Sequence, residues 1–120
     1  MVVDDETHIR QMTGRTLAAF GYRVLTAEDG TEAVTLFAQH QGEIAAVILD
    51  MMMPFMDGIV TARALKRMDP NVRVIGSSGL MEKRKLAEAE EVGFAAFLPK
   101  PYTADDLLNL LARALAANPS

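Results

Sequence analysis

Ala45-Ala46-Val47-Ile48-Leu49-Asp50 is the stretch that decides the fold. An apolar run of this length, ending on a carboxylate, lacks the polar alternation of a strand wetted on one face. It suits a strand buried on both faces. Such strands belong to parallel sheets with helices on either side.

Working outward from that run, short apolar segments alternate with longer amphipathic ones. Downstream comes a Met-rich loop with Pro54 and Asp57-Gly58, then a helix expected over 59–68 and ended by Asp69-Pro70. A strand is expected at 72–76, with Ser77-Ser78-Gly79 at its end. A helix with a weak apolar face follows at 82–92 and is closed by Gly93. The last strand is expected at 95–98, before Pro99-Lys100-Pro101. Thr103 reads as an N-cap with Asp106 three residues on, a variant of the capping box. Leu107, Leu108, Leu111, Ala114 and Leu115 form the apolar face of the last helix.

Upstream, Val2-Val3 leads into Asp4-Asp5. Ile9, Met12, Thr16 and Phe20 recur at helical spacing, and Gly21 stands where a left-handed C-terminal residue is wanted. Residues 22–27 read as a strand. Asp29-Gly30-Thr31 then turns into a helix containing Val34, Phe37 and Ala38, stopped by Gly42. Five strands, each followed by a helix, predict an α/β fold with a parallel sheet and right-handed crossovers. A closed barrel needs about eight such units. The expected architecture is an open, doubly wound, flavodoxin-like sheet in the order 2-1-3-4-5, formed by one domain over residues 1–120.

The bulk composition agrees. Of 120 residues, half are apolar and 23% charged, the balance of an ordinary globular domain. No apolar run approaches the ~20 residues of a membrane span. A secretory leader is not expected from the first residues. The chain has no Cys, which excludes disulfides and thiolate metal sites and fits a reducing, cytoplasmic setting. A net charge of -4 argues against non-specific nucleic-acid binding. Lys83-Arg84-Lys85 is followed by Glu88, Glu90 and Glu91 and reads as a solvated helix face.

The polar residues that end the apolar runs collect at one edge. Asp4 and Asp5 end the first strand, Asp50 the third, Ser78 the fourth and Lys100 the fifth. The carboxyl edge of an open α/β sheet is where ligands bind, at the point where strand order reverses. The expected order makes strands one and three neighbours there, so Asp4, Asp5 and Asp50 meet. Two unit charges ~4 Å apart repel by roughly 4 kcal/mol at an effective dielectric of about 20. The cluster therefore needs a cation, or one carboxyl must keep its proton. Oxygen ligands without His or Cys select a hard ion such as Mg²⁺. Metal, ammonium, hydroxyl and a carboxylate nucleophile are the parts of a phosphoryl-transfer site. Taken singly, each residue has an ordinary role as a cap, a turn or plain surface. Taken together, four separate coincidences would have to fall on one sheet edge.

Four motifs carry a resemblance across essentially the whole chain: Val2-Val3-Asp4-Asp5-Glu6; Asp50-Met51-Met52-Met53-Pro54 with Met56-Asp57-Gly58; Ser77-Ser78-Gly79; and Lys100-Pro101-Tyr102. The chain resembles the receiver domain of two-component response regulators. The resemblance implies a phosphorylation-dependent switch in a phosphorelay, with Asp50 as phosphoacceptor and a phosphohistidine as donor. It implies Mg²⁺ bound directly by Asp5, Asp50 and the backbone carbonyl of Met52, and through water by Asp4. Ser78 matches the switch hydroxyl and Lys100 the phosphoryl-binding lysine. The bond before Pro101 is expected to be cis. Phe97 matches the switch aromatic, often Tyr in the family, with a plain core residue as the other reading. The implied partners are a histidine kinase or histidine phosphotransfer domain, and an output partner at the face of helix four, strand five and helix five.

Two departures refine this reading. Met52 and Leu80 flank the acceptor with apolar side chains that cannot orient a water, so slow self-dephosphorylation is expected. Only Val2 and Val3 precede Asp4, fewer than the ~5–6 residues of an ordinary strand. Together with Ser77-Ser78-Gly79-Leu80 and the run from Phe97 to Pro101, this resembles receivers attached to sensor histidine kinases, so a hybrid kinase is the expected parent. Two other functions compete. A Mg²⁺-dependent aspartyl-phosphate phosphatase or phosphotransferase generally carries a second Asp where this chain has Met52. A receiver-like binding module that is never phosphorylated typically lacks one of the acidic or Lys residues, all present here. The receiver supplies the catalytic groups for its own phosphorylation, so it is at most marginally an enzyme.

Overall fold

Five strands, β1 (Val2–Val3), β2 (Thr26–Ala27), β3 (Ala46–Asp50), β4 (Arg73–Ser78) and β5 (Ala96–Pro99), pair in parallel in the order β2-β1-β3-β4-β5. The structure is a computed structural model and describes residues 1–53, 56–79 and 83–116. Between the strands run α1 (Thr7–Ala19), α2 (Gly30–Gln39), α3 (Gly58–Met68) and α4 (Lys83–Val92), with α5 (Ala104–Ala116) last. The architecture is the open doubly wound sheet that the alternation of segments predicts.

Every inner strand feeds two cores. Val47 and Leu49 face a cluster with Ala33 and Phe37 of α2 and Ala62 and Leu65 of α3. Ile48, between them in sequence, faces Leu17 of α1 and Leu107, Leu111 and Ala114 of α5. Successive side chains on a strand point to opposite faces. A strand buried on both faces therefore has to be apolar at every position, which is why residues 46–49 show no polar alternation. α1 and α5 cover one face of the sheet, and α2, α3 and α4 cover the other. Gly21, Gly42 and Gly93, each just past a helix, all have φ near +90°, as the expected helix stops require.

Three expectations need correction. The strand expected over 22–27 is only Thr26–Ala27. Its partner β1 pairs Val2 with Thr26 and Val3 with Ala27, so residues 22–25 have almost no strand to pair with. They instead line a cavity of about 620 Å³ with Met1, Ile44 and Leu111, at the end of the sheet away from Asp50. The face of α1 is also rotated from the expected one. Met12 and Phe20 are 44% and 66% exposed, while Thr13 and Leu17 are buried. Thr13 tolerates burial because its hydroxyl shares a 2.7 Å hydrogen bond with the Tyr102 hydroxyl. Finally, β4 runs two residues past the expected end and takes Ser77 and Ser78 into the strand.

The capping box of α5 forms in both directions. The Thr103 N–H donates to Asp106 Oδ2 and the Asp106 N–H to Thr103 Oγ1, both at 3.1 Å. On α4, Lys83 and Arg84 are exposed, as expected for a solvated face, but Lys85 is half-buried and pairs with Asp57; Ala89 is the helix's one buried residue. Leu80, one of the two expected acceptor flanks, and the start of the helix expected at 82 lie outside the described residues.

Candidate functional site

Strand parity and register decide what meets at the carboxyl edge. Val2, Ile48, Ile75 and Leu98 all face α1 and α5. Two residues further along their strands come Asp4, Asp50, Ser77 and Lys100, which share that parity. Register pairs Val3 with Leu49, Asp50 with Ser77, and Ser77 with Leu98. Asp4, Asp50 and Ser77 therefore form a lateral row across β1, β3 and β4. Lys100 reaches over that row from beyond β5.

The side chains close on one another. Lys100 Nζ lies 2.9 Å from Asp4 Oδ2, 3.6 Å from Asp50 Oδ2 and 3.8 Å from Glu6 Oε1. Asp4, Asp5 and Asp50 each offer an oxygen, all within 4.8 Å of one another. Asp4 and Asp50 are 3% and 4% exposed, whereas Asp5 is open to solvent. Neither Asp4 nor Asp5 caps α1 in the ordinary way. The N-cap residue is Glu6, and Asp4 Oδ1 accepts the Glu6 N–H at 2.9 Å.

Burial pushes the Asp50 carboxyl up to about 6, from an ordinary 3.8. The Met52 N–H, donated to Asp50 Oδ1 at 3.0 Å, and the Lys100 charge pull it back; the Asp4 charge and a proton shared with Asp5 add to the rise. Burial would lower the Lys100 ammonium, but its bond to Asp4 and the charges of Asp50, Asp4 and Glu6 outweigh that and raise it. Lys100 is thus a fixed positive charge, while Asp50 is a carboxylate kept short of compensating charge. The three carboxylates together could hold a divalent cation, which would supply that charge.

Local sequence explains how the loop after Asp50 is held. Asp57 caps α3, accepting the Val60 N–H at Oδ1 and the Lys85 ammonium at Oδ2, at 3.0 and 3.2 Å. Gly58 sits so close to β3 that a Cβ there would lie 2.8 Å from the Met51 Cα. The Met52 side chain is 68% exposed, while its N–H bonds Asp50. Ser78 is half-buried at the end of β4, and its carbonyl accepts the Lys100 N–H at 2.9 Å. The Lys100–Pro101 peptide is cis. Phe97 lies partly buried on the α3 and α4 side, packed with Met51, Ile59 and Ala89 and stacked on Phe94 at 5.6 Å between ring centres. The place it occupies exists because residue 76 has no side chain. A Cβ on Gly76 would lie 3.0 Å from the Phe97 ring and 3.1 Å from the Phe94 ring.

Sequence reading quoted Glu6 and Tyr102 within motifs but gave them no role, and it passed over Arg10. Glu6 supplies a further carboxylate to Lys100. The Arg10 guanidinium donates to the Asp4 carbonyl at 2.7 Å and anchors the acidic turn. Tyr102 ties the segment after Lys100 to α1 through Thr13. For Arg10 the signal in the sequence was spacing alone, since one helical turn carries Glu6 to Arg10.

With this geometry in place, comparison with known proteins gives the same answer. The sequence profile of the response regulator receiver domain matches residues 1–112. The chain belongs to the response regulator receiver family. This receiver is 31% identical over 116 residues to the chemotaxis protein CheY of Bacillus subtilis, covering 96% of this chain and 95% of that protein. It is 33% identical over 107 residues to the sensor kinase CckA of Brucella abortus, covering 89% of this chain but 11% of the kinase. The receiver fold also matches CheY in a crystal structure of the CheX-CheY-BeF3-Mg²⁺ complex from Borrelia burgdorferi. That match has a TM-score of 0.90 and 29% identity, covering 97% of this chain and 87% of that one. Receivers of this family are the phosphorylation-dependent switches of two-component signalling.

Proposed function

We propose that this receiver accepts a phosphoryl group on Asp50 from the phosphohistidine of a histidine kinase or phosphotransfer domain. The observation that carries the proposal is the setting of Asp50: a buried carboxylate between Asp4 and Lys100, with Asp5 completing a three-carboxylate cluster. An Asp50 oxygen attacks phosphorus, the phosphorus–nitrogen bond breaks, and the leaving imidazole keeps the electron pair and takes a proton from solvent. The product is an acyl phosphate on Asp50.

The donor set suits a hard divalent ion, because all three side chains offer oxygen and none offers nitrogen or sulfur. Asp5, Asp50 and the Met52 carbonyl would bind Mg²⁺ directly, and Asp4 through water. Bound there, the ion offsets the charge of the carboxylates and of the transferring phosphoryl oxygens. Lys100 stabilises the same oxygens from the β5 side, and the Ser78 hydroxyl bonds the phosphoryl group once it is in place. Phe97 then turns inward from its stack on Phe94 and alters the face formed by α4, β5 and α5, where an output partner docks.

The likeness to one segment of the much longer CckA supports a parent of the hybrid-kinase type. No helix among the described residues is long and apolar enough to cross a membrane. Incubation with acetyl phosphate and Mg²⁺, followed by intact-mass spectrometry, tests the central reading. A single phosphoryl adduct, absent from Asp50→Ala and from reactions containing a chelator, supports it. Continuous phosphate release would favour a turnover phosphatase, and no adduct from any donor would favour a binding module.

A further inference from the structure

Beside Asp50 lies a hydroxyl that the roles assigned so far leave idle. Ser77 is 1% exposed, and its Oγ has no hydrogen-bond partner among the described residues. A buried hydroxyl without a partner carries a free-energy penalty, and one retained in a core calls for an explanation. Ser77 is the direct register partner of Asp50 on β4, and its side chain shares the α1 and α5 side of the sheet with Asp50 and Asp4. Ser78, the residue matched to the switch hydroxyl, has the opposite parity. Strands lie about 4.8 Å apart. A lysine that starts beyond β5 and ends 2.9 Å from Asp4 on β1 therefore crosses over β4, where Ser77 sits.

We infer that Ser77 is a positioning residue for Lys100: its Oγ accepts a hydrogen bond from the ammonium as the phosphoryl group moves onto Asp50. This rests on the reading of Asp50 as phosphoacceptor. In the resting protein the charges of Asp4 and Asp50 draw Nζ toward β1 and β3. Phosphorylation ties up the Asp50 carboxylate in an acyl phosphate and moves the negative charge onto the phosphoryl oxygens. The ammonium has three protons to place. Asp4 and a phosphoryl oxygen take two, and the Ser77 Oγ, unengaged at rest, takes the third. The unfilled acceptor is a defect of the resting state that the loaded site uses. An ammonium held on three sides has less freedom to leave the phosphoryl oxygens.

The test compares Ser77→Ala and Ser77→Thr with the wild-type chain by two readouts: thermal midpoint without donor, and the rate of adduct formation from acetyl phosphate with Mg²⁺. For Ser77→Ala, an unchanged or higher midpoint is expected, because an unpartnered hydroxyl is removed. The same variant should be phosphorylated about three- to tenfold more slowly. Ser77→Thr keeps the hydroxyl and should retain most of the rate. A purely structural hydroxyl would lower the midpoint instead. The inference is overturned if Ser77→Ala matches the wild-type rate, or if its midpoint falls together with its rate. A wild-type chain that forms no adduct overturns the acceptor reading itself, which separates the two failures.

Discussion

The Lys100 ammonium lies closer to Asp4 than to Asp50, at 2.9 against 3.6 Å. At rest the lysine therefore neutralises the residue expected to bind metal through water, and only partly neutralises the residue expected to take the phosphoryl group. Burial therefore dominates at Asp50, and the Lys100 charge and the Met52 N–H only partly offset the rise in its pKa.

Asp50 should destabilise the resting fold above neutrality. Its folded pKa of about 6 stands above the ordinary 3.8, so the folded state binds more protons than the unfolded state between those values. Stability from this group is present below about pH 4, is lost as pH rises toward 6, and stays lost above. Without divalent cations, Asp50→Asn should be more stable than wild type at pH 8 by on the order of 2 kcal/mol. That gain should shrink toward zero near pH 4. Urea denaturation at pH 4, 6 and 8 checks it, and a gain that does not vary with pH would contradict the assigned cause.

Removing the lysine leaves two buried carboxylates without their cation. Lys100→Met should cost about 2–4 kcal/mol at pH 7.5. The cost should be smaller at pH 5, where Asp50 takes up a proton and one of the two charges disappears. Equal losses at both pH values would show that packing of the lysine stem, rather than charge, holds the site together.

Met52, whose N–H bonds Asp50, exposes an apolar side chain. Such a side chain cannot orient a water for attack on the acyl phosphate. Met52→Asn supplies an amide that can, and should shorten the phosphoaspartate lifetime by roughly three- to tenfold. Decay of the intact-mass adduct after donor removal measures this, and equal lifetimes would remove Met52 from the account.

A methyl group at position 76 would meet the Phe97 and Phe94 rings and the Met51 sulfur, all at 3.0–3.1 Å. Gly76→Ala should therefore destabilise the domain by about 1–3 kcal/mol. It should also displace the Phe97 ring from its stack, visible as a shifted signal from fluorinated phenylalanine. A stable variant with an unmoved ring would mean that β4 gives way instead.

Much of this protein was legible in the chain because local chemistry determined it. The unbroken apolar run at 46–49 announces a strand with two covered faces, since a parallel strand under helices has no wet side. Thr103 and Asp106 fix the start of α5 through bonds three residues apart, which no distant contact needs to arrange. The acidic pair, Asp50 and Lys100 fall at strand ends, so strand order alone brings them to one edge. What depended on partners far along the chain was not legible. The buried face of α1 includes a threonine, because Tyr102, 89 residues away, satisfies its hydroxyl; the apolar spacing of Met12 and Phe20 therefore pointed to the wrong side. β2 is short because its neighbour β1 is short. Which of the two adjacent serines lies beside Asp50 on the sheet was decided only by register. Sequence supplies the two hydroxyls, but a one-residue change in pairing would exchange their faces.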